Sequence, residues 1–145
     1  MSGIYIHIPF CLSKCVYCGF YSVAHTRDRE MFVQTLLREM EMRADYTDLS
    51  AARTLYFGGG TPSLLSLQEL DRIFRHLGRH CRIEKLVEIT MEANPEQLTR
   101  DYCRGLRDIG VNRLSIGVQS FQDSVLHFMG RRHTSRQAVE AVGNA

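Results

Sequence analysis

Four short β-rich runs recur along this chain, and each is followed by a loop and then by a helical pattern. The runs are GIYIHI, RTLYF, LVEITME and RLSIGVQ, which predict strands at 3–8, 53–57, 86–92 and 113–119. Strands that alternate with helices pair in parallel through right-handed crossovers. The sequence therefore predicts an α/β fold, and both an open doubly wound sheet and a (β/α) barrel satisfy the pattern.

The segments between the strands carry helix signals. Apolar residues at helical spacing predict a helix from Arg29 to Tyr46. Two capping boxes, Ser66 with Glu69 and Thr134 with Gln137, predict where later helices begin. Further helices are predicted over 99–109, where Gly110 is placed to end the helix, and over 123–129.

The chain of 145 residues is long enough for one domain with a hydrophobic core. Its net charge of +2 does not predict a nucleic-acid partner. No apolar run reaches membrane-spanning length, and the start MSGIYIHIPF lacks the regions of a signal peptide. Five cysteines, an odd number, favour reduced thiols over a disulfide framework. Reduced thiols in turn predict a cytoplasmic location.

The chemically distinctive residues all follow predicted strands. A cysteine loop follows the first strand and GGGTPS the second, while Glu92 and Gln119 end the third and fourth. Because the carboxyl ends of parallel strands meet at one edge of a sheet, we expect a single site there. A site that draws on every strand favours the barrel. Four βα units do not close a barrel, so we expect an N-terminal fragment of a longer protein, with a complete small α/β domain as the alternative.

The cysteine loop is the most specific motif. Cys11, Cys15 and Cys18 have the spacing C-x3-C-x2-C, which suits three irons of a [4Fe–4S] cluster and leaves the fourth iron open to an exogenous ligand. Structural zinc is an alternative, but it takes four ligands. The residues available to supply the fourth are His7, Cys81 and Cys103. Buried, inert thiols are the remaining interpretation.

The other candidates are weaker when each is taken alone. The glycines of GGGTPS allow backbone N–H groups to approach a ligand, although no GK[ST] follows as in a P-loop. Glu92 suits a ligand's ammonium group or ribose hydroxyls, and Arg131 suits a carboxylate. An ordinary glycine turn, a polar strand end at Glu92 or Gln119, and a solvated charge at Arg131 are the alternatives.

With these motifs assembled, the chain resembles the radical S-adenosylmethionine (SAM) superfamily. CLSKCVYC matches its CxxxCxΦC signature, with Tyr17 as the aromatic residue, and GGGTP resembles its second motif. YIHIPFC, YFGGGTPS, EITMEANPE and NRLSIGVQSF together resemble the oxygen-independent coproporphyrinogen III oxidase family, over Ile4 to about Val142. This resemblance implies the first part of a (β/α)6-type partial TIM barrel, truncated after about four βα units. Residues 1–145 would form an incomplete radical SAM core domain, with the remaining strands, a family aspartate and a C-terminal domain beyond Ala145.

The resemblance also implies cofactors and their ligands. Cys11, Cys15 and Cys18 would hold a [4Fe–4S] cluster whose open iron binds the amino and carboxylate groups of SAM. The residues implied as cofactor contacts are Tyr5, Tyr17, Gly59, Gly60, Thr61, Glu92, Gln119 and Arg131. No catalytic residue is assigned among them.

Within that family, the position of Phe20 distinguishes subfamilies. The oxidase carries a further cysteine there, whereas this chain has CGF and is similar to the HemW-like subfamily of haem chaperones. That likeness implies haem binding and transfer to an acceptor protein, with a flavodoxin- or ferredoxin-type electron donor. A haem site would need the C-terminal region. Radical methyltransferases of haem breakdown also show CGF, so a radical enzyme acting on a porphyrin stays open. If it is an enzyme, the chain would be an oxidoreductase that uses a 5′-deoxyadenosyl radical on coproporphyrinogen III.

Overall fold

A four-stranded parallel sheet forms the centre of the computed structural model, which describes residues 2–46 and 48–145. The strands are β1 (Ser2–Ile8), β2 (Ala52–Gly59), β3 (Glu88–Ala93) and β4 (Arg113–Ile116), and they lie side by side in chain order. Each pair of neighbours is parallel. The α/β fold with strands alternating with helices, predicted from the sequence, is confirmed.

In the described part of the chain, five α-helices connect or follow the strands. They are α1 (Arg29–Met42), α2 (Leu67–Leu77), α3 (Arg100–Ile109), α4 (Asp123–Phe128) and α5 (Ser135–Asn144). Both predicted capping boxes are present, at the start of α2 and of α5. Gly110 ends α3 in the left-handed conformation at φ +116°, which a residue without a Cβ adopts readily. Among the described helices, none is both long and apolar enough to cross a bilayer.

The two faces of the sheet differ in chemistry because side chains alternate along each strand. One face carries Ile6, Ile8, Leu55, Phe57 and Met91, which are buried under helices such as α2. The opposite face is polar. Its cross-strand rows are Tyr5–Tyr56–Thr90–Arg113 and, one step towards the carboxyl ends, His7–Gly58 on β1 and β2 and Glu92–Ser115 on β3 and β4.

Several element boundaries differ from the sequence prediction. β2 continues through Gly58 and Gly59, since both pair with β1 and glycine does not prevent ladder formation. β4 ends at Ile116, so the prediction that Gln119 closes this strand is wrong. Gln119 has φ +66°, which is incompatible with an extended strand, and it lies in the loop that follows. Cys81, predicted on a helix, lies just after α2.

α1 is shorter than predicted, and β3 begins later. α1 ends at Met42, and a hydrogen-bonded turn follows in which Tyr46 N–H donates to the Arg43 carbonyl. β3 begins at Glu88 because a 3-10 turn at Ile83–Lys85 occupies the preceding residues. These differences lie at element ends, where frayed and turn conformations compete closely with regular ones.

Candidate functional site

The cysteine loop leaves the end of β1 and is fixed at its base. Cys11 N–H donates to the Val23 carbonyl at 2.9 Å, and Val23 N–H donates to the Pro9 carbonyl at 2.8 Å. Within the loop, Cys18 N–H donates to the Cys15 carbonyl at 3.1 Å. The two ends of the loop are therefore joined by one short β-bridge. The three thiols in the loop are half-buried and accessible.

The end of β2 contacts the same base. Gly60 N–H donates to the Ile8 carbonyl at 2.8 Å, and Thr61 N–H donates to the Phe10 carbonyl at 2.7 Å. A Cβ on Gly60 would lie 2.6 Å from the Phe10 carbonyl oxygen, so only glycine fits this approach. The Thr61 hydroxyl lies 3.6 Å from Cys11 Sγ. The glycine-rich turn thus supports the backbone next to Cys11, and it also forms a wall of the site.

Glu92 lies near the end of β3 with both carboxylate oxygens engaged. Tyr56 donates its hydroxyl to Oε1 at 2.7 Å, and Gly59 N–H donates to Oε2 at 3.1 Å. The hydrogen bond to Glu92 is the main cause that raises the pKa of Tyr56, so the phenol stays protonated as a donor. A carboxylate offers about four lone-pair positions, so Glu92 retains acceptor capacity on its cavity side.

Arg131 connects three parts of the site. Its guanidinium donates to Asn94 Oδ1 at 2.6 Å and to the Gly117 carbonyl at 2.7 Å. Another guanidinium nitrogen lies 3.6 Å from Cys15 Sγ. Its Nε is buried and has no hydrogen-bond partner among residues 2–46 and 48–145. The guanidinium thus joins the end of β3, the loop after β4 and the cysteine loop.

Gln119 follows β4 in a strained backbone conformation. A non-glycine residue at φ +66° is uncommon, and such outliers cluster at functional sites. The loop is held from behind by His133, whose Nε2 lies 3.0 Å from the Val118 carbonyl oxygen. His133 is buried, with Nδ1 3.6 Å from Glu96 Oε2. The fold therefore keeps Gln119 turned into the site.

The two tyrosines of the predicted set differ in position. Tyr17 lies on the cavity wall, and burial raises the pKa of its hydroxyl, an effect that the positive charge of Arg131 partly offsets. Tyr5 lies beside the cavity, where its ring stacks on Tyr56 at a centroid distance of 5.9 Å. Burial and then the charge of Glu92 raise the pKa of Tyr5. Tyr5 therefore contacts the site through Tyr56 rather than from the wall.

One open cavity at the carboxyl ends of the strands gathers ten of the eleven residues predicted for the site. These are Cys11, Cys15, Tyr17, Cys18, Gly59, Gly60, Thr61, Glu92, Gln119 and Arg131. Its other lining residues include Asn94, which sequence reasoning placed with Glu92 at the end of the third strand, and several that it did not place in the site: Lys14, Phe20, Ser115 and Gly117. Strand alternation signalled Ser115, since it faces the same side of the sheet as Glu92. Nothing in the sequence signalled the Arg131–Asn94 contact.

The donor set of this cavity fits a [4Fe–4S] cluster better than a single ion. Within residues 2–46 and 48–145, the three sulfurs do not all lie within 4.8 Å of one another, as ligands of one ion would. A cluster places each thiolate on a different iron and so spreads the sulfurs apart. The residues considered as a fourth zinc ligand lie elsewhere. His7 contacts Tyr5 and Tyr21 through its two ring nitrogens, and Cys81 and Cys103 are buried among apolar side chains.

Comparison with known proteins gives a consistent picture. The radical SAM superfamily matches residues 5–145. The chain is 39% identical over 142 residues to the haem chaperone HemW of Lactococcus lactis, which covers 97% of this chain and 36% of that protein. It is 37% identical over 139 residues to the anaerobilin synthase of Escherichia coli O157:H7, covering 94% of this chain and 31% of that protein.

A solved structure shows the same fold. The coproporphyrinogen III oxidase HemN from Escherichia coli, described as a radical SAM enzyme, superposes with a TM-score of 0.88 at 28% identity. The match covers 99% of this chain and 33% of that one. The chain thus spans about a third of the length of the relatives that it matches.

Proposed function

The chain belongs to the radical SAM superfamily, and from that premise we propose that it is part of a HemW-like haem chaperone. In this proposal the protein binds haem and transfers it to an acceptor protein. It carries a [4Fe–4S] cluster on Cys11, Cys15 and Cys18 together with exchangeable SAM. The membership itself confirms the resemblance that the sequence predicts, and it implies the cluster and SAM as cofactors.

The geometry of the cavity supports this ligand assignment. Three half-buried thiols share one loop, and Thr61 and Arg131 each place a donor 3.6 Å from a sulfur. Such hydrogen bonds and a nearby cation stabilise sulfur ligands that bear negative charge. When bound, the cluster supplies one-electron chemistry and an iron with an open coordination position.

Roles for the remaining residues follow from the donors and acceptors that they offer. We propose that Glu92 accepts hydrogen bonds from SAM, and that the backbone of Gly59, Gly60 and Thr61 lines its amino-acid part. Gln119 and Arg131 would contact the opposite side of SAM, and Tyr17 would pack against it. Tyr5 would act at the margin of the site.

Phe20 is the observation that favours the chaperone. This side chain lines the cavity and is 68% exposed, at the position where the oxidase family has a further cysteine. The likeness to HemW proteins over nearly the whole chain adds to this support. The likeness to anaerobilin synthase keeps a radical enzyme acting on a porphyrin as the second candidate.

We further propose that these residues form the first part of a radical SAM core domain. Later strands would pair with the free edge of β4, and a C-terminal domain would complete the haem site. The electron donor would be a flavodoxin- or ferredoxin-type protein. The five free thiols fit a reducing compartment such as the cytoplasm.

The test uses the full-length protein, reconstituted anaerobically with iron and sulfide. Haem is added first and its transfer to an apo-haemoprotein is followed in the Soret region. In parallel, coproporphyrinogen III or haem is incubated with SAM and a reductant, and the products are separated by chromatography. The proposal expects haem transfer and no decarboxylated product.

The result that contradicts the chaperone is formation of protoporphyrinogen, or of a methylated or ring-opened porphyrin, at more than one turnover. A Cys11→Ala variant serves as the control for cluster dependence, and Cys103→Ala is its matched partner. The ligand assignment requires iron loss in the first variant and iron retention in the second. Equal losses would remove that assignment.

A further inference from the structure

A second group of potential metal ligands lies on the helical side of the sheet, away from the cysteine loop. Glu41 is in the last turn of α1, His76 is in the last turn of α2, and His80 follows α2 by three residues. One ligand atom from each lies within 4.8 Å of the other two. From this geometry we propose that Glu41, His76 and His80 bind a divalent transition-metal ion, for which Zn²⁺ is the natural probe.

The distances suit a shared ion. His76 Nε2 lies 3.0 Å from Glu41 Oε1, and His80 Nε2 lies 3.6 Å from Glu41 Oε2. Zinc binds histidine nitrogen and carboxylate oxygen at about 2.0–2.2 Å, so tetrahedral neighbours lie roughly 3.4 Å apart. The observed separations fall on either side of that value. Two imidazoles and one carboxylate leave one position for water, which is a common zinc ligand set.

The two ring nitrogens lack other partners. Nε2 of His76 and Nε2 of His80 are both buried, and neither has a hydrogen-bond partner among the described residues. His76 Nε2 lies 3.0 Å from Glu41, but the angle between the groups does not suit a hydrogen bond. A buried nitrogen without a partner is costly. A metal ion between the three side chains would satisfy both nitrogens at once.

The backbone holds these ligands in place before any ion binds. After α2 ends, Arg79 N–H donates to the His76 carbonyl at 3.1 Å, and His80 N–H donates to the Leu77 carbonyl at 2.9 Å. This turn sets His80 about one helical turn beyond His76, with ring centroids 5.6 Å apart. α1 runs beside α2 in the same direction, since Glu30 near its start also pairs with Arg72 of α2.

The local charge permits a dication. Neutral histidines and the Glu41 carboxylate sum to one negative charge. The nearby cation is Arg79, whose NH1 lies 3.6 Å from Glu41 Oε1. Its side chain is 69% exposed, so it can move away without disturbing the core. Cys81, the next residue after His80, is buried in the apolar core and is not one of the three ligands.

The location indicates what the ion would do. Helices that return from the carboxyl edge of a parallel sheet end at its opposite edge, so these ligands lie far from the cysteine loop. Metal ligands on two adjacent helices clamp those helices together. We therefore expect a structural ion that stabilises the packing of α1 on α2, independently of the chemistry at the cavity.

The test measures zinc binding to the full-length protein that already carries its iron–sulfur cluster. The protein is dialysed anaerobically against buffered Zn²⁺, and zinc and iron are both quantified by mass spectrometry. The proposal expects one zinc ion per chain with no loss of iron. The thermal unfolding midpoint should rise by roughly 3 °C at a hundredfold excess of zinc over its Kd, because the full-length protein has a large unfolding entropy.

Three variants make the test specific. Glu41→Gln should weaken zinc binding at least tenfold, and because Glu41 is half-exposed this variant should fold normally. His76→Gln with His80→Gln should abolish binding and the thermal shift. His127→Gln, at an exposed position on α4, is the matched control and should bind zinc as the parent does.

Either of two kinds of result would overturn the proposal: no zinc binding, or zinc binding that does not depend on this site. The first is absence of bound zinc in the parent protein at micromolar free Zn²⁺. The second is zinc that binds equally in the parent and in Glu41→Gln, or that binds only as iron is released from the cysteine loop. None of these results bears on haem transfer, so the zinc site and the proposed chaperone function are tested independently.

Discussion

At the scale of single residues, Glu92 shows how a strand end becomes a binding group. Its carboxylate is oriented by Tyr56 on the neighbouring strand and by the backbone N–H of Gly59. Neither donor is close to Glu92 in sequence, yet both face it because β2 and β3 are in register on the polar side of the sheet. The strand therefore positions the acceptor, and the cross-strand contacts fix its orientation.

Replacing Glu92 with glutamine tests this role. We expect SAM to bind at least tenfold more weakly, since a hydrogen bond to a charged group contributes about 1.5–3 kcal/mol. Iron content should not change, because Glu92 does not contact a cysteine sulfur. Equilibrium dialysis with labelled SAM on the cluster-loaded protein measures the effect. Glu88→Gln, on the same strand and face but at its far end, is the matched control. Equal affinities in the two variants would contradict the assignment.

Gly60 is a second residue whose role is geometric. A Cβ there would lie 2.6 Å from the Phe10 carbonyl oxygen and 2.9 Å from the Pro9 carbonyl carbon. These are backbone atoms, so relief requires movement of the cysteine loop. We expect Gly60→Ala to lower the free energy of unfolding by about 1–3 kcal/mol and to reduce cluster loading.

Urea denaturation and iron analysis measure the two effects of Gly60→Ala. Gly19→Ala is the control, because a Cβ at Gly19 would meet nothing within 4 Å. If Gly60→Ala loads iron as well as Gly19→Ala does, then the close approach of β2 to the loop is not needed for the cluster.

Which of these residues the sequence predicts depends on how local the signal is. The cysteines were identified by their spacing, and Gly60 and Glu92 by their place after a strand. The role of Tyr56 and the contact of Asn94 with Arg131 were not predicted, since they arise from residues 36 and 37 positions away. The orientation of a side chain towards a partner far away in the sequence does not produce a periodic pattern of residues.

At the scale of elements, the strands and helices were predicted because each carries its own pattern and caps. The capping boxes of α2 and α5 are local features, and the structure contains both. The end of β4 was predicted wrongly because Val118, a β-prone residue, follows Ile116 after a single glycine and so extends the pattern of the strand. After Ile116 the chain leaves the sheet: Val118 N–H donates to the Ile116 carbonyl, His133 contacts the Val118 carbonyl, and the chain turns at Gln119.

The connection between α4 and α5 leads to a prediction about pH. Asp123 at the start of α4 accepts a hydrogen bond from Ser135 N–H, at the start of α5, at 2.7 Å. The hydrogen bonds from Ser135, that from its backbone N–H first, hold the pKa of Asp123 below its ordinary value. A lowered pKa means that the charged form is favoured in the folded state. This contribution is therefore present above the unfolded pKa of about 3.9 and is lost as the pH falls through the lower folded value.

The Ser135 amide resonance reports this contact by NMR. We expect its chemical shift to titrate with a midpoint below about 3.9, and the titration to vanish in Asp123→Asn. Because the segment between the two helices contains Arg131, we also expect that side chain to lose order over the same pH range. A Ser135 midpoint at or above 3.9 would show that the contact does not favour the carboxylate.

At the scale of the whole molecule, the core and the site occupy different parts of the fold. The larger core lies between one face of the sheet and helices such as α2, and it contains none of the three cysteines of the loop. The cavity lies at the carboxyl edge of the sheet, and its loops are held by backbone hydrogen bonds to strand ends. Fold and metal centre are therefore expected to be separable, unlike in a zinc finger, whose core depends on its ion.

Removal of the cluster should consequently leave the protein folded. We expect the cluster-free protein and its Cys11→Ala variant to keep the far-UV circular dichroism of the loaded protein and a cooperative unfolding transition. The loop itself should loosen, because few backbone hydrogen bonds remain within it between its anchors at Cys11 and Val23. Lys14 lies in that loop and lines the cavity. Trypsin should therefore cut after Lys14 quickly in the cluster-free protein and slowly in the loaded one, while cleavage after Arg107 on α3 serves as the internal reference. Loss of the helical signal together with the cluster would show that metal binding and folding are one event, and that the strand-end hydrogen bonds do not hold the site on their own.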